Sequence, residues 1–169
     1  PTTGTVILGE GATGIKASGV VQNTAILRKN VSQGIASARV DVDNLVRRIP
    51  LLMQTDTGWV PAYGTEVLKI LSGVDTYVIR TEQQQIAGIK VPNFGEISTD
   101  GLGRKWVSWV NTPRTTLDEM NVEGRFVFIG VSAKGVMPQI ATPAGLFYPH
   151  QVQAALTESL FFDSPQIPA

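Results

Sequence analysis

The run Arg125-Phe126-Val127-Phe128-Ile129-Gly130 constrains the fold more than any other stretch of this chain. An unbroken apolar segment of this length, stopped by glycine, has the pattern of a strand buried on both faces. Such a strand needs helices over its sheet, so the run predicts an α/β architecture with Arg125–Gly130 at its centre. Two helices fit that expectation. From Ala62 to Ser72, Tyr63, Val67, Ile70 and Leu71 fall at i, i+4, i+7 and i+8, and Gly73 follows as a stop. The last helix opens near Pro149, a residue suited to a first turn, buries Val152, Ala155, Leu156, Ser159 and Leu160, and ends before Pro165.

The other segments read as short strands and turns. Gly4–Gly9 opens the chain as a buried strand. Ile35–Asp43 and Val46–Met53 predict a hairpin turned at Asn44, with Pro50 at an edge or a bulge because it lacks an N–H. Val74–Arg80 and Ile89–Val91 predict two more strands, separated by a polar turn over Thr81–Gln85. Asp100-Gly101 turns into a strand over Trp106–Val110 whose tryptophans share a face. Thr115–Glu123 is a polar connector with a short helix, and a loop rich in Gly, Pro and Thr runs from Val131 to Tyr148. With 169 residues, 43% apolar and 17% charged, the chain can bury a core as a single domain over 1–169. The fold class is therefore α/β, a mixed sheet with flanking helices.

Charge and cysteine usage remove whole classes of function. Fourteen basic residues balance fourteen acidic ones and none form a basic run, so nucleic acid is not an expected partner. No apolar stretch approaches the roughly 18–20 residues that cross a bilayer. Without cysteine there are no disulfides, thiol nucleophiles or thiolate metal sites. A lone histidine, His150, leaves no transition-metal ligand set, so neither metal nor cofactor is expected.

Three motifs invite chemistry. Gly9-Glu10-Gly11-Ala12-Thr13-Gly14 follows a strand in the G-x-G-x-x-G pattern that lets a pyrophosphate approach a helix N-terminus. The residues after it have weak helical periodicity and a glycine at position 19, which favours a plain glycine loop. Gly130-Val131-Ser132-Ala133-Lys134-Gly135 is similar to a nucleophile elbow, with Lys134 or His150 as base, yet Lys134 stands where the second glycine belongs. Asp41 and Asp43 lack the other ligands of a calcium loop and read as acids that hold local backbone N–H groups.

Two of these stretches, taken together, resemble the CHASE2 sensor domain of bacterial membrane receptors. Asp41-Val42-Asp43-Asn44-Leu45-Val46-Arg47-Arg48-Ile49-Pro50-Leu51-Leu52 resembles that family's D-x-D-G-x-x-R-R-x-P-L signature. Asn44 replaces the glycine, and asparagine is well able to adopt positive φ. Val122–Gly135 resembles the later L-x-G-K-x-V-x-I-G-x-x-A-x-G stretch, and Thr142-Pro143-Ala144-Gly145 its T-P-x-G. In the closing helix Gln153 falls where the family has a histidine.

The resemblance implies the C-terminal portion of a larger α/β sensor domain. It implies an extracytoplasmic position, periplasmic or extracellular, with anchoring in the inner or plasma membrane through segments outside this chain. It implies a non-catalytic module that binds an unknown small-molecule or protein ligand. The polar residues expected at such a site are Ser132, Lys134, Thr142 and Tyr148, near the exit of the Arg125–Gly130 strand, with Arg47 as a further candidate. A homodimer covering Thr5–Leu8 or Val152–Leu160 is the expected assembly. Two other readings stay open: an enzyme, either a Ser132-centred hydrolase or a nucleotide binder using Gly9, Gly11 and Gly14, and a purely structural dimerisation module.

Overall fold

The computed structural model describes residues 4–8, 11–17, 23–29, 31–109, 112–119, 121–133 and 135–162. The sheet is mixed, as the sequence predicts. Strand β1 (Gly4–Leu8) lies parallel to β5 (Thr76–Glu82), and β5 continues through antiparallel hairpins into β6 (Gln85–Val91) and β7 (Gly95–Ser98). Three two-stranded ladders surround it: β2 (Arg48–Pro50) with β8 (Arg104–Trp106), β3 (Leu52–Thr55) with β4 (Gly58–Pro61), and β9 (Ile140–Thr142) with β10 (Gly145–Phe147). The helices are a single turn α1 (Ala25–Arg28), then α2 (Tyr63–Leu71) and α3 (Pro149–Phe161).

The hairpin between β5 and β6 shows how local chemistry sets the core. Gln83 and Gln84 both take positive φ, 49° and 63°, which gives the tight primed turn that the twist of paired strands demands. Ile86 and Ile89 are three residues apart, so a regular strand would place them on opposite faces. The register slips between Arg80 and Thr81, and this bulge brings both isoleucines into the core beside Tyr77 and Ile79.

The predicted hairpin over Ile35–Met53 does not form. Residues 36–43 are irregular, and Ile35 instead bridges Ala62 through its N–H to Pro61 O at 2.9 Å. The turn at Asn44 is present, with φ 63°, and carries the chain into β2. Leu51 then breaks the second run in two: its N–H binds Gly103 O and its carbonyl takes the N–H of Ala62. Pro50, which offers no N–H, sits at the end of a two-stranded ladder, where none is required. The two tryptophans do not share a face. Trp106 ends β8 and lies under the Arg48 guanidinium, 5.3 Å from its ring centroid, whereas Trp109 lies beyond the strand and packs edge-on against Phe147.

Helix α2 forms where the sequence places it, but turned over. Gly64, Thr65 and Leu68 face the interior, while Tyr63, Ile70 and Leu71 are exposed. Two contacts fix that orientation. Thr65 donates its hydroxyl to Leu51 O at 2.7 Å, and Gly64 leaves room for Leu156 and Leu160 of α3. Glu66 and Lys69 are buried on the same helix as an ion pair at 2.9 Å. Helix α3 begins with Pro149 in its first turn, and the predicted stripe of Val152, Ala155, Leu156, Ser159 and Leu160 is buried. Ala154, Gln153 and Thr157 are buried too, so α3 is central rather than half-exposed.

The largest departure concerns Arg125–Gly130, which is not a strand. Strand β5 already has β1 on one side and β6 on the other, so the position a central strand would occupy is filled. The run packs by its aromatics instead: Phe126 stacks on Phe161 of α3 and Phe128 meets Tyr63 of α2. Ile129 remains 75% exposed. The segment is a strap across two helices, and it forms one wall of the cavity described next.

Candidate ligand site

Between the strap, the 112–116 connector and the first turns of α3 lies a cavity of about 580 Å³. That volume suits a small molecule. Phe126, Val127, Phe128 and Phe147 supply its apolar walls, and Arg114, Arg125, Ser132, Tyr148 and His150 its polar groups. No aspartate or glutamate lines it. The sequence carries the same signature, since no acid occurs between Glu123 and Glu158.

Each polar group is placed by a local cause. Tyr148 caps α3: its N–H donates to Gln151 Oε1 at 2.8 Å and its carbonyl accepts the Gln151 N–H at 2.9 Å. His150 follows Pro149 in the first turn, its ring parallel to that of Tyr148 within 7° and 5.9 Å away. Gly130 brings the strap directly against the imidazole, where a side chain would collide. Burial, and then the positive charge of Arg114, hold the His150 pKa below the ordinary histidine value, so the ring is neutral at pH 7. The Arg125 backbone N–H donates to Val122 O at 3.2 Å, but neither the Arg114 nor the Arg125 guanidinium has an ion pair or hydrogen bond among the described residues.

The residues expected at a site are thus divided. Ser132 and Tyr148 line the cavity. Thr142 does not: it is buried in β9, where its hydroxyl donates to Gly145 O at 2.8 Å and accepts the Ala144 N–H, holding the β9–β10 turn. Arg47 is engaged elsewhere, by both oxygens of Asp43 at 2.8 and 2.6 Å. Lys134 lies outside the described residues. Arg114 and Arg125 were missed because a connector arginine and a strand's first residue look solvated in sequence. Arg125 stands just inside the acid-free stretch from residue 124 to 157, a signal that could have found it; Arg114, followed by Asp118, Glu119 and Glu123, had none.

The signature Asp41-x-Asp43 … Arg47-Arg48 builds a different object. Arg48 spans Asp41 at 2.5 Å and Asp100 at 3.2 Å, while Arg104 takes Asp100 at 2.7 Å. Arg47 also approaches Asp41, at 3.5 Å, so both arginines converge on one carboxylate. They do so because Arg47 precedes β2, where strand alternation does not yet apply. Asp43 holds the Leu45 N–H as well, and its pKa falls to about 2, chiefly through the Arg47 hydrogen bonds. The shallow hollow beside this network, about 470 Å³, is lined by groups whose charges are already matched. The network ties the 41–47 turn to β2 and β8.

The two enzymatic motifs look different in place. Residues 11–17 form no helix; Thr13 bridges Gln85 and Lys16 bridges Gln54, and Gly14 lies under the Trp59 ring. Gly11 is open to solvent, and Gly9 lies outside the described residues. Ser132 and His150 share the cavity without a hydrogen bond between them. Among the described residues no helix is long and apolar enough to cross a membrane. No curated protein and no solved structure gives a significant match to the chain. The family model of the CHASE2 domain matches residues 8–168, nearly the whole length, and the chain belongs to this family of sensor domains.

Proposed function

We propose that this chain is the ligand-sensing part of a bacterial transmembrane receptor, that it works outside the cytoplasm, and that it does no chemistry of its own. The observation that carries the reading is the cavity at the start of α3. A sensor needs a ligand that favours one of two states, and differential contact with a movable element is enough. Here the cavity is lined by Tyr148, His150, Gln151 and Ala154, and the same helix carries Leu156 and Leu160 into the core. A ligand that shifts the first turns of α3 therefore acts on the element that organises the domain. Nucleophilic catalysis, by contrast, needs a hydroxyl in hydrogen-bond reach of a base. Ser132 shares the cavity with His150 and makes no hydrogen bond to it, while Lys134, the other base considered, lies outside the described residues.

In this reading the receptor is a homodimer. The Val152–Leu160 surface expected at its interface is consumed inside one chain. Strand β1, which has no second ladder partner among the described residues, would offer its free edge to a second copy around a two-fold axis. Thermal-shift screening with small metabolites tests the sensing role, because a ligand at 100 times its Kd adds about 2.7 kcal/mol. Sedimentation tests the assembly. A monomer at high concentration, unshifted by every compound, overturns both parts.

A further inference from the structure

Resting on the cavity as the sensing site, we propose that its ligand is a small organic anion, a carboxylate or phosphate head on an apolar body about the size of one ring. The charge pattern is the first argument. The chain has equal numbers of acidic and basic residues, yet the cavity wall holds two arginines and no acid. Elsewhere Arg47, Arg48, Arg80 and Arg104 each have a carboxylate partner; Arg114 and Arg125, like the exposed Arg39, have none among the described residues, but unlike Arg39 they meet at one cavity. Glu158 accepts the Thr112 hydroxyl at 3.0 Å and does not line the cavity. Guanidinium groups left in this state are suited to a bidentate anion.

The second argument is shape. Phe126, Phe128 and Phe147 give the volume an aromatic lining, which a bare inorganic ion would leave unfilled. The ligand therefore needs an apolar body as well as a head. His150 stands at this boundary with its ring stacked on Tyr148. Its imidazole feels the charge of Arg114, so an anion seated there relieves that repulsion and raises the tendency of the ring to hold a proton.

His150 is the chain's single histidine, so its imidazole resonances report this cavity alone. The experiment titrates the protein with benzoate, phenyl phosphate, benzamide, acetate and inorganic phosphate while following those resonances by NMR. Benzoate or phenyl phosphate is expected to shift them with saturation, and which one binds tighter identifies the head. Benzamide, acetate and inorganic phosphate are each expected to bind at least tenfold more weakly. Arg114→Ala combined with Arg125→Ala should weaken the anion at least tenfold, and the corresponding lysine pair should restore part of it. Benzamide equal to benzoate, or an alanine pair without effect, overturns the anionic ligand and leaves the cavity as a sensing site. Resonances unmoved by every probe in a protein that still melts cooperatively overturn both.

Discussion

Gly130 sits so close to the imidazole of His150 that a β-carbon built on it would fall inside the ring's van der Waals envelope. The strap and α3 therefore meet through a glycine because nothing larger fits. Gly130→Ala should turn the His150 ring and also shift the first turn of α3, because the added carbon meets His150 Cβ at 2.6 Å, which no rotamer change moves; overpacking of this kind costs about 1–3 kcal/mol. The expected outcome is a changed imidazole chemical shift with that loss of denaturant stability. An unaltered shift would mean that the strap moves instead.

His150 also makes stability depend on pH. Its folded pKa is depressed, so the unfolded chain takes up a proton first as pH falls below about 6.5. The contribution of the neutral ring is present above that value and is lost as pH falls through the folded pKa. Charged neighbours in the cavity are Arg114 and Arg125. Arg114→Gln should raise the His150 pKa only part of the way, because burial is the larger cause. NMR titration of the single imidazole measures both effects.

Asp41 and Asp43 differ in weight although they stand two residues apart. Asp41 is nearly buried and receives Arg48 at 2.5 Å, so Asp41→Asn should cost about 1.5–3 kcal/mol, the range for a hydrogen bond to a charged group. Asp43→Asn, on the exposed turn, should change denaturation little. The Asp43 carboxyl, at about 2, should titrate back toward 3.8 in Arg47→Ala, and the stability it gives is present above that ordinary value and lost as pH falls through about 2. Equal losses in the two asparagine variants would contradict this division.

The Glu66–Lys69 pair is inside the molecule, with both side chains at most a tenth exposed. Lys69→Met leaves a buried carboxylate without its ammonium and should cost roughly 3–5 kcal/mol. Adding Glu66→Leu should recover most of that loss. Chemical denaturation of the single and double variants decides whether the coupling exists.

How much of this was legible in sequence depends on where each residue's partner lies. Pro149, the α3 stripe and the Asn44 turn were readable because their causes are local: a fixed φ, a helical period, tolerance of positive φ. The face of α2 was not. Its apolar stripe is genuine, but the close approach of α3 at Gly64 and the Thr65–Leu51 bond turn it outward. Arg125–Gly130 has the pattern of a central strand, yet a strand needs an open ladder, and β5 has none. Ser132 and Tyr148 were expected at the exit of a strand that does not form, and they line the cavity beside the strap that stands in its place. The two arginines required seeing which residues a cavity gathers.

The parallel seam between β1 and β5 has a kinetic consequence. Gly4 pairs with Thr76, so forming that ladder closes a loop of about 70 residues, an entropy cost of roughly 4 kcal/mol, while the β5–β6 turn closes over only Gln83 and Gln84. The meander β5–β6–β7 can assemble within microseconds, well ahead of β1. Contacts that form after the transition state control the unfolding rate rather than the folding rate. A substitution that weakens the strand through its backbone, such as Val6→Gly, should therefore speed loss of the native state in unfolding kinetics while barely slowing refolding. Slowed refolding in that variant would place β1 in the nucleus. On this ordering the native lifetime of the domain rests on a seam that closes last and opens first.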